Sequence, residues 1–359
     1  MFFYIFLYLI LLAVKLISVY RKGLEYFLFM VLFLLSALRG SMVGNDTIGY
    51  FNNNLRALEF DLESNDSYSF EITYQWVANV IRDYGLPSYY ILFFLSFITF
   101  LFLFLGTKRH RLVLSDISFF YYALIFYFLS IHISRQMAAI SIVFWAYSFL
   151  EEKGVKSLLF FFAIVMAATI HVSAFFFLVL FFLRFMPRFN IYKVSTLVSF
   201  FLFGLFFFSQ FSRTYIQNSL LPYLDIIEIY DRSSLTFVEA SNTTFVSFFV
   251  GLVKLVINIY VLLWLSRYRY YNLSYIFLLA IVMTIVMNVM YGNITRLQYY
   301  FQIVYLVAYS LFFSRTRLRN SQTKFLFYLF VLSSFAQVFA CLRSDPYEII
   351  PYRFNEKLF

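Results

Sequence analysis

The stretch SLLFFFAIVMAATIHVSAFFFLVLFFL, residues 157–183, holds 27 residues without a formal charge, and His171 is its only titratable side chain. As one helix it would rise about 40 Å, more than the roughly 30 Å hydrocarbon core of a bilayer requires and too little for two comfortable crossings. Whether it crosses once or turns back at His171 decides the path of everything after it.

Composition sets the frame: 63% hydrophobic and 24% aromatic residues against 13% charged lie far outside globular usage. Long apolar runs recur along the chain, and no polar interval is large enough to fold alone. The expectation is an all-α, polytopic integral membrane protein with about 11–12 transmembrane or half-spanning helices, forming one transmembrane domain over 1–359. The spans read as roughly 2–20, 24–38, 88–106, 117–131, 133–150, 158–170, 172–185, 196–211, 243–265, 272–290, 297–313 and 325–342. The first lacks a preceding basic residue and a small-residue cleavage site, so it reads as a retained span rather than a secretory signal. Outer loops are expected at about 39–87 and 212–242, with an outer tail at 343–359. A single cysteine, Cys341, excludes an internal disulfide.

Charge distribution resolves the opening question. With TKRHRL (107–112) on the cytoplasmic side and a hairpin at His171, the cytoplasmic loops hold 16 Lys and Arg, and the outer segments hold 10. A single tilted span would flip the later loops and leave 13 on each side. The positive-inside rule therefore favours two short helices meeting at His171, at an outward-facing apex. The net charge of +10 is an orientation signal, and no nucleic-acid partner is needed to explain it. Non-helical backbone at membrane depth needs cover from protein or a wet cavity.

Polar candidates gather at the outer turns. The turn inside YYALIFYFLSIHISRQMAAISIVFWAYSFL carries His132, Arg135 and Gln136; ALRGSMVGNDTIGYFNNN carries Arg39, Asp46 and Tyr50; YGNITRLQYYF carries Arg296 and Tyr300. An arginine at a helix end in lipid calls for an ionic or functional partner, and its donor fork matches phosphate. Arg39 reads either as a snorkelling interfacial anchor or as a ligand-binding cation, and Arg296 in the same two ways. His171 is either a polar link between helices or part of a reacting centre. Asp46 either holds an Asx turn or acts chemically. Lys254, in the middle of a span, either snorkels or meets a lipid headgroup. No Walker loop, HExxH, GxSxG elbow or Cys/His metal set occurs in the sequence.

RGSMVGNDTIGYF, SRQMAAISIVFWAY, ATIHVSAFF and NITRLQYYF, taken in this order, resemble the EpsG-like group of Wzy polysaccharide polymerases. Asn45 stands where that group's pattern has a small hydroxyl residue, and the tail DPYEIIPYRFNEKLF matches only loosely.

The resemblance implies a GT-C-like membrane glycosyltransferase architecture and a location in the bacterial inner membrane, with the active site facing the periplasm. It implies transfer of an O-antigen or capsule repeat-unit glycan from undecaprenyl diphosphate to the non-reducing end of another lipid-linked unit. It further implies partners of two kinds: undecaprenyl diphosphate-linked oligosaccharides in the surrounding lipid, and a chain-length regulator and flippase. No cofactor and no metal are expected, since arginines stabilise the leaving diphosphate directly. On this reading His171, Asp46 and Arg135 are catalytic candidates, and Arg39, Tyr50, His132, Gln136, Arg296 and Tyr300 hold the lipid diphosphate and sugar. An O-antigen ligase, or a flippase or other transporter, are the alternatives.

Overall fold

The computed structural model describes residues 3–4, 6–10, 13, 24–40, 43–44, 47, 71–87, 89–110, 121–122, 125–150, 155–182, 191–215, 245–287, 296–316 and 321–344. Its regular elements are helices: α1 Leu24–Ala37, α2 Ile72–Asp83, α3 Tyr90–Arg109, α4 Tyr127–His132, α5 Ser134–Tyr147, α6 Val155–Ile170, α7 Val179–Phe182, α8 Ser195–Tyr215, α9 Phe245–Arg267, α10 Tyr271–Met287, α11 Gln298–Gln302, α12 Val304–Thr316 and α13 Ser321–Ser344. Three apolar helical stretches are long enough to cross a membrane, Tyr90–Arg109, Ile191–Ser212 and Phe248–Arg267, and four shorter ones accompany them. The chain is thus an all-α membrane protein. It divides into two compact units, Met1–Phe181 with Ala340–Phe359, and Phe182–Phe339.

In the first unit α5 is central. Ala138, Ala139 and Ser141 let neighbouring backbones approach it, and Met137, Ile140, Ile142, Val143 and Phe144 are fully buried. A helix apolar on every side belongs inside a bundle. Against it lies α3, whose Gly106 leaves room for the Phe144 ring: a Cβ there would meet that ring at 2.5 Å. The basic pair Lys108 and Arg109 in the last turn of α3 faces the negative end of the helix dipole. On its other side α3 carries α1, through Phe29–Phe100 at 4.9 Å and Phe33–Phe93 at 5.6 Å between ring centres.

The run 157–183 does turn back. Helix α6 ends at Ile170, His171 is extended (φ −154°, ψ 114°), and a 3-10 helix, Val172–Leu178, follows and leads into α7. Phe161 and Phe181 stand ten residues either side of His171, and their rings meet at 4.5 Å. Such a contact requires a hairpin centred on the histidine, since along one helix the same residues would lie about 30 Å apart.

The segment read as an outer loop over about 39–87 contains α2. Its apolar residues Tyr74, Val77, Ala78 and Ile81 recur at helical spacing and are buried. The loop expected at 212–242 lies outside the described residues beyond Tyr215, and so does the tail beyond Ser344.

The second unit packs α9, α10, α12 and α13 through aromatic contacts, with Trp264–Phe312 at 5.3 Å, Phe277–Tyr305 at 5.2 Å and Tyr309–Phe330 at 4.7 Å between ring centres. Polar links run between the helices. Tyr309 Oη donates to Asn258 Oδ1, and Gln302 Nε2 donates to Thr284 Oγ1 at 2.9 Å. Lys254, in the middle of α9, donates to Gln337 Oε1. Between α9 and α10 the chain reverses through Arg269, a non-glycine residue at φ +65°, with Tyr270 N donating to Leu265 O across the helix end.

Candidate active site

Helix α4 ends in His132, and α5 starts two residues later at Ser134. Both Ser134 and Arg135 are used at once, by different elements. Arg39, just past the end of α1, donates from Nη2 to Ser134 Oγ at 2.6 Å and to Thr47 Oγ1 at 3.3 Å. From Nη1 it also donates to the carbonyl and hydroxyl oxygens of Ser36. Its side chain has no exposed surface, so it does not snorkel. A buried guanidinium with these partners ties the end of α1 and the turn at Thr47 to the start of α5. Gly44 in that turn (φ +95°) lies against the Ile131 carbonyl, where a Cβ would stand 2.6 Å from the oxygen.

Arg135 points to a group that the sequence reading passed over. Its Nη1 lies 2.7 Å from Glu71 Oε2, in an ion pair whose side chains are 20% and 16% exposed. The guanidinium also sits 5.2 Å from the centre of the Tyr74 ring, one turn further along α2. Glu71 is the N-cap residue of α2 but does not cap it; no side-chain bond to its own helix forms. The other carboxylate oxygen faces the Val172 N–H at 3.4 Å, a long bond, on the residue that follows His171. Thr73 Oγ1 donates to Thr169 Oγ1 at 2.8 Å, a second tie from α2 to the same turn. His171 is half-buried, and its Nδ1 shares a hydrogen bond of 2.6 Å with Ser173 Oγ.

Five sequence candidates therefore belong to the first unit: Arg39, His132, Arg135, Gln136 and His171. Arg135 and the turn at His171 are joined through Glu71, while Arg39 reaches the residue next to Arg135. His132 and Gln136 are buried on either side of that helix start. Arg296, half-buried, and Tyr300, buried, belong to the second unit at the start of α11. Asp46 and Tyr50 lie outside the described residues. Among the described residues no group of three or more His, Cys, Asp or Glu side chains comes together as a metal site.

The signal for Glu71 was present in the pattern ITYQWVANVIRD, whose helical period marks an amphipathic helix docked on the unit, with Glu71 immediately before it at the N-cap. Chemically, a carboxylate oxygen paired with one guanidinium nitrogen occupies the same kind of position that a phosphate oxygen would take.

An all-α membrane bundle with arginines buried or half-buried beside a broken helix defines a class of polytopic membrane proteins that carry ionisable side chains inside the bundle. The chain belongs to the EpsG family, whose sequence profile matches residues 24–354. Membership makes it a membrane protein of the polysaccharide-polymerase type, a glycosyltransferase-like class. No curated protein and no solved structure matches it.

Proposed function

We propose that this protein polymerises repeat-unit oligosaccharides carried on undecaprenyl diphosphate, at the outer face of the bacterial inner membrane, within a GT-C-like helical framework. The growing glycan leaves its lipid carrier and joins the non-reducing sugar of a new lipid-linked unit. In the transfer, the acceptor hydroxyl oxygen bonds to the anomeric carbon as the bond from that carbon to the diphosphate oxygen breaks. The electron pair departs with the diphosphate, and the hydroxyl proton goes to a base, His171 or Asp46.

The observation behind this reading is the pair of guanidinium groups at the start of α5: Arg39 bonded to Ser134, and Arg135 on α5 itself, paired with Glu71 beside the turn at His171. Fixed guanidinium groups stabilise charge on a departing diphosphate without reorganising at the moment of reaction. Arg135 is assigned the leaving group, and Arg39 the framework that holds the helix start. Arg296 and Tyr300, with Tyr50, His132 and Gln136, are assigned to sugar and lipid contacts. A chain-length regulator and a flippase are the partners of such an activity.

The test is transfer by the purified protein in lipid nanodiscs, supplied with a lipid-linked repeat unit and excess EDTA. A ladder of lengthened glycans is expected, and Arg135→Lys, which keeps charge but loses the bidentate fork, should remove most of it at normal protein level. No ladder from the wild-type protein, with or without divalent metal, would sink the proposal. In cells, a deletion strain should show surface glycan caps of single units. Accumulated lipid-linked polymer would indicate a ligase instead.

A further inference from the structure

Helix α2 is already secured to the first unit by its buried apolar face and by the Thr73–Thr169 bond, so its attachment does not require a charged group. Yet Glu71 sends its carboxylate away from its own helix end, to Arg135 on one side and to the Val172 N–H on the other. A half-buried ion pair contributes little net stability, because desolvation offsets much of the attraction. What it does fix is direction. One carboxylate orients the Arg135 guanidinium, assisted by the Tyr74 ring on the next turn of α2, and its other oxygen faces the first backbone N–H after His171 at 3.4 Å.

We propose that Glu71 is a positioning residue for the transfer reaction, aligning the Arg135 guanidinium with the turn at His171 so that both meet the lipid diphosphate and the acceptor together. The proposal rests on the polymerase reading above. Glu71 itself does not touch the reacting atoms; it acts through Arg135 and through the backbone of Val172. Its carboxylate also offsets the charge of Arg135 while the site is empty. Removing that negative charge leaves the arginine more attractive to a diphosphate and less well aimed, so binding and turnover should move apart.

The experiment is steady-state transfer in nanodiscs with the lipid-linked repeat unit as varied substrate, alongside thermal unfolding of each variant. Glu71→Gln has nearly the same shape and still accepts a hydrogen bond. It is expected to lower kcat by on the order of a hundredfold, as misplacement of a catalytic group does, while KM stays level or falls. Glu71→Asp keeps the charge on a shorter arm and should give an intermediate kcat. In the exchanged pair, Glu71→Arg with Arg135→Glu, the ion pair can re-form, restoring melting temperature without restoring transfer.

Glu71→Gln with wild-type kcat and KM would overturn the proposal, as would full activity in the exchanged pair, since the pair would then be structural only. If Glu71→Gln fails to fold, the exchanged pair decides alone, by the same criterion. Absence of transfer by the wild-type protein is a different result: it removes the polymerase reading, and this inference with it, before any variant is compared.

Discussion

Glu71 and Arg135, 64 positions apart in sequence, are joined by an ion pair of 2.7 Å that links the N-cap of an amphipathic helix to the first turn of the largely buried α5. Truncating one partner strands the other in a half-buried place, which costs more than removing both. Arg135→Ala should therefore lower stability more than the double variant Glu71→Ala/Arg135→Ala does. A coupling of about 0.5–3 kcal/mol is expected from a double-mutant cycle of unfolding in detergent. Additive effects would mean that the pair is not formed in solution.

Close approach of α3 and α5 at Gly106 gives a second test. Gly106→Ala should gain up to about 1 kcal/mol of helix propensity. Against that, its Cβ would stand 2.5 Å from the ring of Phe144, a fully buried side chain with little room to move. Overpacking of this kind costs about 1–3 kcal/mol, so the clash wins and the melting temperature falls. Adding Phe144→Leu to the alanine variant should recover part of the loss.

His110 caps the end of α3, with its ring between Phe144 and Tyr147 and its Nε2 3.1 Å from the Phe144 carbonyl oxygen. Burial draws its pKa down to about 4, and the neighbouring Arg109 adds to the effect against the hydrogen bond. With the folded value depressed below the ordinary 6.5, the unfolded chain binds more protons between the two. This contribution to stability is complete above about pH 6.5 and is lost as pH falls towards 4. Because the ring is only part-buried, the amount is discounted to about 1–2 kcal/mol. Unfolding of wild type and His110→Phe compared from pH 7.5 to 4.5 should show a smaller slope in the variant.

The hairpin at His171 was legible because it has a consequence far from itself: it decides the side on which every later basic loop lies. Charge totals therefore report a local turn, and the Phe161–Phe181 contact agrees with them. The helix ends at Ile170 and Val172 fall where the apolar run was divided. Glu71 was not legible in the same way. It lies within the stretch read as an outer loop, about 39–87, and its partner lies in a different turn of the chain. Nor does sequence distinguish a snorkelling arginine from a buried one. The burial of Arg39 depends on Ser36, Thr47 and Ser134 converging from three places, which no local pattern encodes.

Topology can be checked by thiol labelling in a Cys341→Ala background. Cysteines at Asn53, Asn218 and Asn293 should react with an impermeant reagent from outside, whereas one at Asn320 should not. Tyr268, exposed in the loop after α9, serves as the second inward probe, since its neighbour Ser266 is fully buried and its Oγ accepts from Tyr192 N. Labelling of Tyr268→Cys from outside in intact cells would reverse the orientation inferred from the loop charges.

His171 interrupts the hairpin with an extended backbone that any residue adopts, so replacing it should leave the turn intact. Its Nδ1 is engaged by Ser173 Oγ at 2.6 Å, which fixes the ring direction and directs Nε2 away from that bond. If the ring serves the transfer reaction, His171→Ala should keep its unfolding free energy within about 0.5 kcal/mol of wild type, in the range of a substitution away from packed features, yet fail to extend a purified lipid-linked unit. His171→Gln separates two roles, because glutamine can hydrogen-bond but cannot take up a proton at working pH. Partial activity in that variant would assign His171 to positioning and leave the proton to Asp46; complete loss in both would assign it the proton or a charge. Ser173→Ala supplies the control for ring direction and should lower kcat without abolishing it. Binding of the lipid-linked unit must be followed separately, since loss of affinity alone would imitate loss of chemistry. Wild-type rates in both His171 variants would show that the imidazole only links helices within the hairpin.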